Sequence, residues 1–445
     1  MNKNKDYLIT EKPSRALFAF ALPMIIGNLF QQAYTIVDSA IVGHYVGETA
    51  LAAVGASYAL TSIFICVAIG GGIGASVIIS QHFGGHAYIR MKNSIRTAML
   101  SFLLISLLLG GIGLCFSRQI METLNTPADA MDIAVIYLNI YFYGLPFLFM
   151  YNILSSMFNA LGESRIPLYL LIFSSVLNIF LDLYMVATLH LGVAGAAYAT
   201  FIAQGISAVC SFLIFLRTLR RLDGKAETWF SKAEFSSMSR IALPSILQQS
   251  TVSIGMMLVQ SVVNGFGTQI LAGFSASMRI ESLCVVPMSA IGNALSSYAA
   301  QNIGAEKHER IPLGYRAANI MVAITAVILC LFLELLHRPL IALFLDGAPS
   351  AQTVATGEGY LRFIGFFFCM IGFKMAVDGI LRGAGAVKVF TIANLVNLGL
   401  RVLIAKFGAP VYGIAMVWYA VPLGWLANFL ISYGYYRTGK WKQLK

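Results

Sequence analysis

The chain has 445 residues, of which 58% are apolar and only 11% charged, and its mean hydropathy is +0.78. A water-soluble fold cannot hide that much apolar surface, so a soluble enzyme, a disordered chain and a disulfide scaffold are excluded. The net charge of +11 in such a chain points to Lys and Arg gathered on one side of a membrane, not to nucleic acid.

A membrane-spanning helix needs about 20 mostly apolar residues. Twelve are predicted in chain order, over residues 16–40, 52–80, 94–116, 133–157, 166–188, 192–216, 240–264, 273–300, 313–336, 360–381, 388–406 and 411–436. Most of the 30 Lys and Arg residues fall in loops on the side of the N-terminus, among them Arg15, Arg90, Lys92, Arg96, Arg220, Lys225, Arg310, Arg382 and Lys440. The positive-inside bias therefore places both termini in the cytoplasm. The six Cys residues are scattered through apolar stretches with no disulfide or zinc spacing. The basic stretch 217–240, with Trp229, Phe230 and Phe235, reads as a connector lying on anionic lipid.

The two halves resemble each other. Ala21-Leu22-Pro23 recurs as Ala242-Leu243-Pro244, Gly47, Leu51 and Ala52 as Gly267, Leu271 and Ala272, and Gln81, Gly84 and Arg90 as Gln301, Gly304 and Arg310. Six spans return the chain to its starting side, so the repeats are parallel. The expected fold is an all-α membrane protein with twelve transmembrane helices in two six-helix lobes related by a parallel pseudo-two-fold repeat. Its parts are an N-terminal lobe (1–216), a basic cytoplasmic connector (217–239) and a C-terminal lobe (240–445).

No Walker A or H-E-x-x-H sequence is present, and no cofactor motif. The run Gly70-Gly71-Gly72-Ile73-Gly74 reads as close helix packing. The informative residues are charges within spans, because each costs about 2.5–3.5 kcal/mol at mid-bilayer on the insertion scale. In the first half these are Asp38 and Asp182, with no Lys or Arg at similar depth. Asn178 and Asp182 are four apart and share a helix face. With Thr200 and Tyr137 they offer carboxylate, amide and hydroxyl oxygens, a set that suits a proton or a hard cation such as Na⁺. In the second half Lys374 and Asp378 are four apart, and Arg279, Glu281 and Arg401 lie on other spans of the same lobe. Opposite charges are available to each, which reads as an ion-pair network or as a gating or substrate site. Spans four and ten are rich in aromatics, including Tyr141, Phe142, Tyr143, Phe149, Phe366 and Phe368. Such a lining suits a flat lipophilic cation.

Several ordered segments carry a family resemblance: Ala21-Leu22-Pro23, Val37-Asp38-Ser39-Ala40-Ile41-Val42-Gly43, Gln81-His82-Phe83-Gly84-Gly85, Ala160-Leu161-Gly162-Glu163-Ser164-Arg165, Val176-Leu177-Asn178-Ile179-Phe180-Leu181-Asp182 and Leu381-Arg382-Gly383-Ala384-Gly385. Together they resemble the MATE (multidrug and toxic compound extrusion) transporters over essentially the whole chain, and the first-lobe acids look most like the DinF-like branch. The resemblance implies an antiporter in the cell (inner) membrane that exports organic cations by alternating access, against inward H⁺ or Na⁺. It implies a coupling site at Asp38, Asn178, Asp182 and Thr200 with Tyr137 beside it, and a bend in span one at Pro23. A monomer in contact with membrane lipids is expected, with no cofactor and no nucleic-acid partner. One departure is the stretch Gln248-Gln249-Ser250-Thr251-Val252, which lacks the acid that the NorM-like branch carries on span seven. The rival reading is a lipid-linked oligosaccharide flippase, for which Arg279, Lys374 and Arg401 would supply cationic charge.

Overall fold

The computed structural model describes residues 6–46, 48–124, 126–345 and 349–443. The chain ends and the repeat position Gly47 lie outside the described residues. All regular structure among the described residues is helical. After a single turn at Tyr7–Thr10, the long helices are α1 (Pro13–Val46), α2 (Glu48–Gly84), α3 (Tyr88–Thr123), α4 (Ala128–Ala160), α5 (Arg165–Asp182), α6 (Gly192–Arg220), α7 (Lys232–Asn264), α8 (Thr268–Gly304) and α9 (Arg310–Ala342). There follow α10a (Ala351–Gly365), α10b (Phe368–Gly383), α11 (Val387–Leu403) and α12 (Ala415–Arg437). Among the described residues eleven segments are long and apolar enough to cross a membrane. The twelfth span is the pair α10a–α10b, bent by 51°. Sequence periodicity reads this span as one helix, but the backbone breaks just after Gly365, and a glycine is a common place for a helix to bend.

The repeat is visible in local geometry. A π-helical stretch, Leu183–Thr188, continues α5, and another, Ile404–Gly408, continues α11. The two sit at equivalent places in the halves. Close helix packing recurs too. A Cβ on Gly72 of α2 would meet the Ser156 side chain of α4 at 2.5 Å, and one on the equivalent Gly292 of α8 would meet the Met375 carbonyl oxygen of α10b at 2.7 Å. Gly70 and Gly74 give α7 the same close approach at Ile246 and Ala242. Small residues one turn apart let helix backbones meet, which supplies packing where lipid removes the hydrophobic drive. Outward residues such as Leu108 and Leu335 are exposed, as expected of a lipid-facing surface.

The chain packs as two compact units, one comprising Met1–Ile25 and Leu247–Lys445, the other Ile26–Ile246. These units do not follow the sequence halves. The start of α1 belongs with the second half, and the start of α7 with the first. Hydrogen bonds show why. In the first unit, Asn302 donates to the Leu8 carbonyl (3.2 Å), Lys307 to that of Ile9 (3.0 Å) and Arg310 to that of Glu11. Leu17, Phe20 and Ala21 are buried in the core with Met288, Ile291 and Leu295. In the second unit, Glu234 at the start of α7 accepts from Ser94 (2.7 Å) and pairs with His82 (3.0 Å). Met238 joins the core of Phe83, Ile95 and Phe158. The loops that hold these segments, around His82–Ser94 and Asn302–Arg310, are the repeat-related Gln-Gly-Arg loops. The change of unit falls shortly after Pro23 on α1 and Pro244 on α7.

Candidate functional site

Within unit 26–246, helices α1, α5 and α6 bring together the intramembrane polar residues of the first half. Tyr34 and Asp38 lie four apart on α1, and Asn178 and Asp182 four apart on α5, so each pair presents one face. Asp182 is fully buried and Asn178 is 2% exposed. Asp182 is the last α-helical residue before the π-helical stretch, a distortion that re-aims side chains and often accompanies function. The carboxylates of Asp38 and Asp182 lie within hydrogen-bonding reach of each other.

Asn178 links the helices. Its amide nitrogen donates to Asp182 Oδ2 at 2.8 Å and to Tyr34 Oη at 2.7 Å. Its oxygen accepts from the Thr200 backbone N–H at 3.0 Å and the Thr200 hydroxyl at 3.3 Å. This orientation of the amide matches donors with acceptors on both sides, and the opposite one does not. Tyr137 of α4 stands close to both carboxylates. It also lines, with Tyr141, Thr200 and Gln204, a cavity of about 20 Å³, large enough for one water-sized guest.

Two carboxylates meet here, and among the described residues neither makes an ion pair. One oxygen of each, Asp38 Oδ1 and Asp182 Oδ1, is buried with no hydrogen-bond partner. A buried unsatisfied polar atom costs about 1–3 kcal/mol, more if charged. Adjacent buried carboxylates therefore favour a shared proton or an inserted cation. The donor set of carboxylate, amide, hydroxyl and phenol oxygens fits H⁺ or Na⁺.

The charges of the second half lie in the other unit, in two groups. Lys374 Nζ pairs with Asp378 Oδ2 at 3.0 Å and donates to Asn394 Oδ1 at 3.0 Å, while Ser432 donates to Asp378 Oδ1 at 2.6 Å. Glu281 accepts from the Tyr360 hydroxyl at 2.6 Å, with Arg401 nearby. Arg279, grouped with them from sequence, is exposed and stands apart from both. Of the charges grouped from sequence, Lys374 pairs with Asp378 and Arg401 lies near Glu281, while Arg279 on α8 makes no ion pair among the described residues.

Two residues escaped the sequence reading. Tyr34 lies one turn before Asp38, a spacing that could have revealed it. Arg382 counts by position as a cytoplasmic-face arginine, yet it is buried and donates to Asn293 Oδ1 at 2.7 Å. The aromatics divide: Phe142, Phe149 and Phe368 are buried in the core, whereas Tyr143 and Phe366 are exposed. Pro23 is buried in the other unit. It lies 15 residues from Asp38, about 22 Å along a helix.

Comparison with known proteins places the chain among transporters. The MatE family model matches it twice, over residues 23–184 and 244–406. The chain is 30% identical to the probable multidrug resistance protein YpnP of Bacillus subtilis, over 97% of this chain and 96% of that one. It is 22% identical to a FAD transporter of Shewanella oneidensis, covering 95% and 94%. Among solved structures, a multidrug resistance MATE family transporter in an outward-facing conformation superposes with a TM-score of 0.89 at 22% identity, covering the whole of both chains. A transporter of the MOP superfamily from Pyrococcus furiosus gives 0.90 at 22% identity, covering 99% of each.

Proposed function

The chain belongs to the MatE family of multidrug efflux transporters, and on that premise we propose that it is a cation-coupled antiporter exporting lipophilic organic cations by alternating access. The observation that carries the proposal is the Asp38–Asp182 pair, two neighbouring carboxylates with no ion-pair partner among the described residues, Asp182 being joined through Asn178 to Tyr34 and Thr200. An inward-moving H⁺ or Na⁺ neutralises the pair, and a cationic substrate leaving by the opposite route competes for the same negative charge. Reciprocal competition of this kind is what couples two fluxes. Pro23 supplies the bend in α1 that lets Asp38 change its surroundings. The basic loops face the cytoplasm together with both termini, in the cell membrane, and the protein works as a monomer.

YpnP and the outward-facing MATE structure are named for multidrug resistance, which does not favour the oligosaccharide flippase. Lys374 also argues against a pyrophosphate cleft, being already paired with Asp378 at 3.0 Å. The test is uptake and release of a cationic dye by proteoliposomes with a pH gradient and a Na⁺ gradient applied separately. The proposal expects one gradient to drive export of the dye. Equal dye flux with both gradients collapsed would remove ion coupling, and gradient-driven flux of anionic dyes alone would remove the cationic substrate.

A further inference from the structure

Unit 26–246 carries a second recess, separate from the carboxylate cluster. A groove of about 800 Å³ runs between α3 and α6, with Phe147 and Met150 of α4 at its floor. Its walls are apolar: Ile95, Met99, Leu100 and Leu103 on one side, Val209, Phe212, Leu216 and Leu219 on the other. Its rim is cationic, formed by Lys92, Arg96, Arg220 and Lys225, with Trp229 beside them. Among the described residues no Asp or Glu lines it, although Asp223 of the connector lies near Lys92.

The rim is built by the connector, not left to chance. Lys92 Nζ donates to the carbonyls of Leu222 (2.7 Å) and Gly224 (2.6 Å). Asn93 Oδ1 accepts from the Glu227 and Thr228 backbones at 3.0 and 3.3 Å, and the Ser231 N–H donates to Thr97 Oγ1 at 2.9 Å. The Arg96 guanidinium lies 4.8 Å from the Trp229 ring centroid. Trp229 itself is 78% exposed, as an indole at headgroup level would be.

We infer that this groove is a discrete binding site for one anionic phospholipid from the leaflet on the connector side, its phosphate at Lys92, Arg96, Arg220 and Lys225 and an acyl chain along the α3–α6 walls. Length supports the fit. From Lys92 to Leu103, and from Ala208 to Arg220, the walls run about 16–18 Å at 1.5 Å per residue. One leaflet contributes about 15 Å of hydrocarbon. Charge supports it as well. Four cations around an apolar slot repel a lipophilic cation, so the groove does not suit the export substrate proposed for the Asp38 cluster. A soluble phosphate would leave the walls unused. A basic connector lying loosely on lipid needs neither the groove nor its length. The inference does not depend on ion coupling and stands or falls separately from it.

The experiment is native mass spectrometry of the full chain released from nanodiscs of equal phosphatidylglycerol and phosphatidylcholine. One phosphatidylglycerol should be retained in preference to phosphatidylcholine. Arg220→Gln with Lys225→Gln should reduce that preference about 30-fold, at roughly fivefold per charge. Val209→Trp and, separately, Leu103→Trp fill the groove from exposed wall positions without touching charge, and each should also abolish retention. Lys440→Gln with Lys442→Gln removes two charges elsewhere and should change nothing. Equal retention of both lipids would overturn the inference. So would an equal effect of the Lys440/Lys442 pair, which would mean diffuse surface attraction. Retention unaffected by both tryptophans in folded protein would overturn the acyl-chain wall, and competition by millimolar glycerophosphoglycerol as strong as by the lipid would show a headgroup-only anion site.

Discussion

Lys374 and Asp378 offer the sharpest energetic test. Their side chains are 6% and 4% exposed and 3.0 Å apart, one helical turn apart on α10b, so solvent screening is slight. Removing one partner strands the other charge in a dry setting, which costs about 3–5 kcal/mol. In Lys374→Met, Asp378 keeps the Ser432 hydroxyl, 2.6 Å away, and the more distant charge of Arg382. In Asp378→Asn, Lys374 keeps only the Asn394 carbonyl, 3.0 Å away. The double variant removes both charges of the pair, leaving Arg382 bonded to Asn293, and its new amide can still bond Ser432. It should therefore lose no more stability than either single variant. The coupling energy is then at least about 3 kcal/mol, a factor of more than a hundred in the unfolding equilibrium. Unfolding of purified protein in mixed micelles, followed by tryptophan fluorescence at increasing denaturing detergent, reads all four corners of the cycle. Losses in the double variant equal to the sum of the singles would refute the pairing and show that each charge is held by other partners.

Tyr34→Phe deletes the hydroxyl that bonds Asn178 and should cost about 1 kcal/mol; gradient-driven dye export should slow several-fold without stopping, and an unchanged rate would remove Tyr34 from the site. Gly379→Leu places side-chain carbon on the Gly292 backbone oxygen and should prevent the close approach of α10b to α8, read as loss of folded protein in detergent; Gly111→Leu, where open space surrounds the Cα, should be tolerated, and equal behaviour of the two would argue against backbone packing. Pro23→Ala restores a backbone donor to α1; it should leave expression and thermal stability near wild type while slowing transport, and transport at full rate would rule out a bend there.

Much of the architecture was legible because hydropathy and charge bias act locally along the chain. Span number, the parallel repeat and the glycine packing of α2 followed from residues such as Pro23, Pro244, Gly70 and Gly72. The membership of the packing units was not legible: it depends on Asn302, Lys307 and Arg310 holding the start of α1, and on Glu234 reaching His82 and Ser94. Those are tertiary contacts between residues more than a hundred positions apart. At the carboxylate cluster, the helical spacing of Asn178 and Asp182 gave a shared face, and the scarcity of charge in spans singled out Asp38. Tyr34 was passed over because a tyrosine in an apolar span is unremarkable by composition. The burial of Arg382 was not legible because a residue near the end of a span is read by depth alone, which says nothing of the Asn293 carbonyl it meets.

The central claim is that the Asp38–Asp182 pair exchanges a coupling cation for substrate. The most direct measurement is gradient-driven export of a cationic dye by proteoliposomes containing Asp38→Asn or Asp182→Asn, with ΔpH and a Na⁺ gradient applied separately and protein content matched. Each variant keeps the shape of the side chain and removes its charge. The account predicts that both abolish export under the driving gradient while thermal stability holds or rises, because a desolvated charge has gone. Wild-type export by both variants under each gradient would contradict it, and would move the search to Glu281 and Asp378.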